Sequence, residues 1–365
     1  MVTNPTEATT ANLRVERAAQ VVQVAADAPE PKAISQAAEI LRQGGLVAFP
    51  TETVYGLGAC ASNADAVSDV FSAKGRPLTD PLILHIAHLE QMPEIVADFP
   101  RTAQLLAESF WPGPLTLVLP RNEKVLDLVT AQAPTVAVRI PSHPVALAML
   151  TEAGFAVAAP SANRFGRISP STAEHVQNEL GNTFDLLLDA GPTTLGVEST
   201  VVDLCGERPK LLRPGGVTLE QLTEVLGLID YAAQEVSSEA VAASAPGLFL
   251  RHYSPRTPLL LIEGSDALVK QLLAALGEND VKALPVEISQ EPVLAAKELY
   301  SRLREADEWD AQILLVRPTE ASGLGLAVND RLFRAAQGRI LKEFSAESVR
   351  FATTIAGSSG RLIAD

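Results

Sequence analysis

Between residues 46 and 216 of this 365-residue chain, cations and hydroxyls recur wherever an apolar run stops. LVAFPTETVYG breaks at Pro50 into Thr51, Glu52, Thr53 and Tyr55, and AKGRPLTDPLILHI sets Lys74 and Arg76 ahead of an apolar run that closes on His85. Arg139 sits inside TVAVRIP, and APSANRFGRISPST packs Ser161, Asn163, Arg164, Arg167, Ser169 and Ser171 into one turn. GVESTVVD puts Ser199 and Thr200 at a strand start, and LLRPGG puts Arg213 at a strand end. Guanidinium forks grip phosphate or carboxylate bidentately, and hydroxyls complete such a cradle. A lone arginine in an apolar strand needs a partner, so Arg139 meets either a structural carboxylate or a ligand's. Singly, each feature has a plainer explanation: KGRP as a cationic helix end, the Ser/Asn turn as an ordinary loop. Together they predict a pocket for an anionic ligand, of a kind suited to a polyphosphate carrying a sugar.

Other chemistries find less support. AKGRP has Lys before Gly and no following Ser or Thr, so it is no Walker A loop. His85 and His88 lie three apart with no third ligand nearby, and neither H-E-x-x-H nor a zinc-spaced cysteine pair occurs. Only Cys60 and Cys205 are present, far apart, which predicts reduced thiols and a cytoplasmic protein. A net charge of −15 argues against broad adhesion to nucleic acid, which needs cationic surface to displace counterions. No apolar run is long enough to predict a membrane span, and the first 30 residues lack a secretory pattern.

The elements that must position these groups follow from periodicity. AISQAAEILRQ, ADAVSDVFSAK, TAQLLAESF and STAEHVQNEL have helical spacing, the last capped by Ser171 or Thr172. LVAF, PLILHI, PLTLVLP, TVAVRIP, FAVAAPSAN, FDLLLDAG, STVVDL and PKLLRPG read as strands. Helices and strands mix without strict alternation, which predicts an α+β fold on a twisted mixed sheet. Composition and periodicity divide the chain into a flexible tail (1–30), a larger mixed α+β domain (31–228), a linker (229–257) rich in Ala, Ser and Glu, and a small Rossmann-like α/β domain (258–365). The first βα turn of the last part, EGSDAL, lacks the glycine pattern of a dinucleotide site. LFLRHYSPRTP, 248–258, is too apolar and aromatic for an idle linker. It predicts a segment that docks, either packing between the domains or as a lid, with His252 and Tyr253, over the anion pocket.

FPTETVYGLG, AKGRP, DPLILHI, FWPGPLTLVL, VAVRIPSH, APSAN, GVESTVVD and LLRPG, in this order, resemble the YrdC-type L-threonylcarbamoyladenylate synthases. The resemblance runs over about 33–220, and RHYSP with GLGLAVNDRLFRAAQGRI extends it to the long form with linker and C-terminal domain. It implies a YrdC-like fold and a nucleotidyltransferase that joins L-threonine, bicarbonate and ATP into threonylcarbamoyl-AMP and pyrophosphate. Mg²⁺ is then expected on the ATP phosphates, with no organic cofactor. The product would pass to a tRNA threonylcarbamoyl transferase, with at most a weak RNA contact and no membrane partner. The family's pattern implies Thr51, Thr53, His85, Arg139, Ser161 and Ser199 around threonine. It implies Lys74, Arg76, Asp80, Thr116, Asn163, Ser171 and Arg213 around ATP, joined by His252 and Tyr253 of the lid. Lys74 and Arg76 are the expected catalytic pair, and both are expected to matter little to stability because they sit in a turn. Relatives carry Asn where this chain has Asp80, a carboxylate that would repel a triphosphate. The competing expectations are an RNA-binding translation-associated module, which the charge disfavours, and a carbamoyl transferase using carbamoyl phosphate, which the missing zinc-module cysteines disfavour.

Overall fold

The computed structural model describes residues 19–231, 247 and 249–357. Its larger sheet contains β1 (Gln20–Gln23), β2 (Val47–Phe49), β3 (Gly56–Cys60), β4 (Ile83–His85), β5 (Leu115–Pro120), β6 (Thr135–Arg139), β7 (Val157–Ala158), β8 (Leu186–Asp189), β9 (Thr200–Asp203), β10 (Lys210–Arg213) and β11 (Asp230–Tyr231). The strand order is β1-β8-β2-β3-β7-β4-β6-β5-β9-β10-β11. Parallel pairs such as β4–β6 and β5–β9 alternate with antiparallel ones such as β2–β3 and β5–β6, so the sheet is mixed as expected.

Register brings the chemistry together. His85 of β4 is the pairing partner of Arg139 of β6, so two polar side chains widely separated in sequence end at one level of the sheet. The helix Ala64–Lys74 delivers the KGR turn by ordinary capping. Asn63 Oδ1 accepts from the amides of Asp65 and Ala66, both at 3.1 Å, and Gly75 ends the helix at φ 61°. The Arg76 amide then reaches back to the Phe71 carbonyl at 3.0 Å, which completes a Schellman stop. A Cβ on Gly75 would meet nothing within 4 Å, so glycine serves the left-handed backbone there rather than space.

The second sheet holds β12 (Leu259–Ile262), β13 (Ala283–Val286), β14 (Ile313–Val316) and β15 (Ile340–Leu341), all parallel, in the order β13-β14-β12-β15. Helices Asp266–Glu278, Pro292–Asp307, Gly325–Ala335 and Ala346–Gly357 accompany it. Its apolar core does not stop at its own elements. Val54, Ile168 and Val197 belong to the same buried cluster as Leu259, Leu299, Tyr300 and Leu332.

Several expectations need correction. Gln20–Gln23, within the stretch read as a flexible tail, pairs in parallel with β8; residues 1–18 lie outside the described residues. β11 falls just past position 228, and of the predicted linker 232–246 and Leu248 lie outside the described residues. Thr172, not Ser171, caps the helix Ala173–Leu180. The helix Pro144–Ala153, whose sequence PVALAMLTEA is apolar nearly all round, has too little amphipathic contrast to stand out. Among the described residues, no helix is long and apolar enough to cross a membrane.

Candidate functional site

A small cavity lies where the ends of β2, β4, β6 and β10 meet the segment 249–254. Thr51, Thr53, His85, Arg139, Ser161 and Ser199 line it together with Arg76, Arg213, His252 and Tyr253. Ten of the predicted side chains thus converge on one space of about 50 Å³.

On one wall the PTET turn builds a hydroxyl pair. Thr51 donates its single hydroxyl proton to the Val54 carbonyl at 2.6 Å and accepts from the Val54 amide at 3.2 Å. The hydroxyls of Thr51 and Thr53 are 2.7 Å apart, so Thr53 must be the donor of that bond. Thr53 Oγ1 accepts in turn from Arg139 Nη1 at 3.0 Å. Arg139 also donates Nε to the Gly113 carbonyl at 3.1 Å and sets Nη2 2.6 Å from Glu52 Oε1. The buried arginine therefore has a structural carboxylate, and still borders the cavity. His85 meets the Phe49 ring edge-on, and its Nδ1 has no hydrogen-bond partner among the described residues. Burial, and secondarily Arg139, lowers its pKa to about 3, so it is a neutral imidazole at ordinary pH.

The cationic wall is fixed by its own turns. Arg76 donates Nε to the Asp80 carbonyl at 3.0 Å and Nη2 to the Pro81 carbonyl at 2.7 Å, and Nη2 lies 2.9 Å from Asp80 Oδ2. This accounts for Asp80: its fully buried carboxylate backs the guanidinium and does not border the cavity. Lys74 is also behind the wall. Its ammonium donates to the carbonyls of Ser161 (2.5 Å) and Asn163, while the Phe165 amide donates to the Lys74 carbonyl at 2.8 Å. The KGR and SAN turns are thereby locked together. Burial, followed by repulsion from Arg76, pulls the Lys74 pKa well below the usual lysine value, against the opposing fields of Asp80 and Glu179. Arg213 donates Nη2 to the Ser199 carbonyl at 2.9 Å and to its hydroxyl at 3.1 Å. The Gly215 backbone runs so close to this strand that a Cβ would sit 2.4 Å from Glu198 O and Thr200 N. Thr116 stands behind Ser199 with hydroxyls 2.8 Å apart. Asn163 spends its amide on the Arg164 and Arg167 carbonyls at 2.7 and 3.0 Å, and the Ser171 hydroxyl lies 3.3 Å from His175 Nδ1. Lys74, Asp80, Thr116, Asn163 and Ser171 are not among the residues that line this small cavity.

The segment 249–254 closes the cavity. Tyr253, held at φ 60°, is fully buried, with its ring 4.1 Å from that of His252. Neither Tyr253 OH nor His252 Nδ1 has a hydrogen-bond partner among the described residues. Burial and then the charges of Arg76, Lys74, Arg213 and Arg334 hold His252 well below the ordinary imidazole value. With His85 Nδ1, three buried polar atoms face one cavity without partners. Each such orphan costs about 1–3 kcal/mol, and a left-handed non-glycine residue adds to the strain. A protein that maintains all of these at one place has built a ligand site.

Glu198, which sequence alone did not mark, also borders the cavity. Its signal was a carboxylate directly before two hydroxyls at a strand start. It is held from the second sheet: Tyr300 OH donates to both carboxylate oxygens at 2.8 Å and Arg331 Nε lies 2.7 Å from Oε2. Burial pushes the Glu198 carboxyl up, but Arg331 and Arg213 outweigh it and keep the pKa below the usual value. Arg331 also stands 4.9 Å over the Tyr253 ring, and the Tyr300 ring stacks on Tyr253 at 6.0 Å. The second sheet unit therefore holds two pieces of the cavity wall.

Two family models match the chain in succession. A family model described as telomere recombination matches residues 39–215, and a model of the threonylcarbamoyl-AMP synthase C-terminal domain matches 217–337. The threonylcarbamoyl-AMP synthase of Bacillus subtilis is 41% identical over 329 residues, 85% of this chain and 94% of the relative. The chain belongs to the threonylcarbamoyl-AMP synthase family. Members from Pyrococcus abyssi and Schizosaccharomyces pombe are 41% and 35% identical, over 84% and 83% of this chain and 94% and 88% of theirs. The crystal structure of P. abyssi Sua5 complexed with L-threonine is 40% identical and superposes with a TM-score of 0.83, covering 89% of this chain and 99% of that one.

Proposed function

We propose that this member of the family makes threonylcarbamoyl-AMP from L-threonine, bicarbonate and ATP, as a nucleotidyltransferase supplying transfer-RNA modification. The observation that carries this is the two-walled cavity: hydroxyls with Arg139 and a neutral histidine on one side, Arg76 and Arg213 on the other. A P. abyssi relative is known with L-threonine bound, which supports threonine as the amino acid. Thr51, Thr53, His85, Arg139, Ser161 and Ser199 would hold threonine, the arginine toward its carboxylate. Val54, Ile83 and Ala159 give its methyl an apolar wall. The neutral amine forms a bond to the carbon of carbon dioxide, releasing one amine proton, or to that of bicarbonate, where the amine proton departs with the bicarbonate hydroxyl as water. A carbamate oxygen then bonds to the α-phosphorus as the bond to pyrophosphate breaks. Charge grows on phosphoryl oxygens, so positioned cations should do most of the catalysis. Arg76 and Arg213 would face those oxygens, with Lys74 stabilising the KGR–SAN lock from behind. No nucleophilic side chain is required.

Asp80 and Glu198 are committed to arginines, so the wall offers no ready metal ligands. Magnesium would enter as the counter-ion of the ATP phosphates and be held by them. About 50 Å³ is far below the roughly 300–1,000 Å³ of small-molecule pockets, so in this reading ATP enters as segment 249–254 moves aside. We read that segment as a lid whose His252 and Tyr253 pack against the nucleotide and exclude water from the labile carbamate. The product would pass to a tRNA threonylcarbamoyl transferase, in the cytoplasm, where the free Cys60 and Cys205 stay reduced. The test is pyrophosphate release from ATP with threonine and bicarbonate. Release that ran equally with serine, or with no amino acid, would remove the threonine assignment.

A further inference from the structure

On the far side of the same lid segment lies a second, larger cleft of about 510 Å³. Arg167, Arg251, Arg256 and Arg339 line it, with Gln337 and Phe165, and no carboxylate shares the lining. Six arginines elsewhere, Arg76, Arg139, Arg304, Arg317, Arg331 and Arg334, each meet a carboxylate within 4 Å. Among the described residues none of the four cleft guanidiniums does so. One side-chain hydrogen bond engages them there, Arg339 Nε to the Ala336 carbonyl at 2.7 Å. The acids Glu174, Glu179, Glu305, Asp307 and Glu308 lie in an adjoining pocket that Arg167 and Arg256 also border. Glu179 takes Arg304 at 3.0 Å, and Asp307 accepts the amides of Arg256 and Thr257 at 2.8 and 2.7 Å. In a chain of net charge −15, four arginines around one concavity whose lining holds no carboxylate are an arrangement that attracts an anion.

We propose that this cleft is a second anion site, for a small molecule bearing linked phosphates: inorganic pyrophosphate or the phosphate tail of a nucleotide. Four forked donors suit several phosphate oxygens at once. The cleft volume falls in the range of small-molecule pockets, roughly 300–1,000 Å³, and the acidic balance of the chain disfavours an extended nucleic acid. The cleft is also mechanically tied to the catalytic cavity. His252 and Tyr253 face the cavity while Arg251, Ser254 and Arg256 of the same segment face the cleft. Ser254 pins the segment to the floor of the cleft, its amide donating to the Gly166 carbonyl at 2.8 Å. An oligophosphate held by Arg251 and Arg256 therefore acts on the segment that must move for ATP to enter.

Titration calorimetry with pyrophosphate on the full chain, without threonine or bicarbonate, tests this independently of the synthase reading. The double variant Arg251→Gln/Arg256→Gln should lose one bound equivalent relative to the unsubstituted chain, with its melting temperature unchanged. Arg339→Gln should weaken that equivalent about tenfold. AMP should not compete for it, and competition by ATP against pyrophosphate identifies which source binds more tightly. Equal stoichiometry and affinity in the unsubstituted chain and the double variant would overturn the proposal. So would the absence of any pyrophosphate binding, or a cleft that takes a single-stranded oligonucleotide but not pyrophosphate.

Discussion

Arg76 and Asp80 form the pair on which residue-scale chemistry turns. KGRP reads as an exposed turn, and Arg76 was expected to matter little to stability. The structure instead buries Arg76 against a carboxylate with no exposure at all. Removing one partner of a buried ion pair costs about 3–5 kcal/mol, because the other charge is left without compensation. Arg76→Ala should therefore lose stability on that scale in urea unfolding as well as about 10² or more in turnover. Adding Asp80→Asn should restore most of the stability and none of the turnover. If the double variant recovered pyrophosphate release, Arg76 would be a structural cation and not a catalytic one.

At the scale of elements, the helices Pro292–Asp307 and Gly325–Ala335 send Tyr300 and Arg331 across to Glu198 and Tyr253. Their sheet unit is thus part of the active-site wall, which gives the C-terminal region a purpose beyond anchoring. Tyr300→Phe removes one hydroxyl that donates to a charged acceptor, worth about 1.5–3 kcal/mol. We expect a folded enzyme whose KM for ATP rises several-fold while KM for threonine holds, because Glu198 and Tyr253 adjoin Arg213 rather than the threonine-turn hydroxyls. Steady-state kinetics with each substrate varied separately will decide. Equal changes in both constants would mean general loosening, and no change would cut the second sheet out of nucleotide binding.

For the whole molecule, acid is the predicted weakness. Of the chain's five histidines, His85 and His175 are held at about 3 and about 4, and His143 and His252 are also lowered, burial being the first cause in each. In the unfolded chain these imidazoles bind protons near 6.5. The unfolded state therefore takes up protons first, and stability is highest above pH 6.5 and declines as pH falls from there toward 4 and 3. The lowered Glu198 carboxyl adds a loss of the same sign at the acid end. Urea midpoints measured from pH 8 to pH 5 should fall steadily below about 6.5. A flat or rising curve across that interval would show that the buried imidazoles are protonated in the native state.

Much of this was legible without coordinates, and the legible part was local. The Ala64–Lys74 helix follows from its cap, its periodicity and its glycine stop, all encoded within a dozen residues. The strand-end hydroxyls and cations could be gathered as one anion pocket because the sheet had to bring strand ends together, and ten of them do converge. What the sequence could not decide is which polar groups face the ligand and which brace those that do. Lys74, Asp80, Thr116, Asn163 and Ser171 have the composition of a binding wall, and in this structure they are outside the lining of the small cavity. Glu198 draws its charge balance from Arg331, 133 positions away, a pairing that no local pattern encodes. The segment around Tyr253 showed its apolar character in sequence. That it fills the site, with a buried hydroxyl unpaired among the described residues and a left-handed backbone, follows only from the two sheets closing around it. Local propensity acts over a turn or a strand, whereas burial and charge compensation are settled by whatever the folded chain places within a few ångströms.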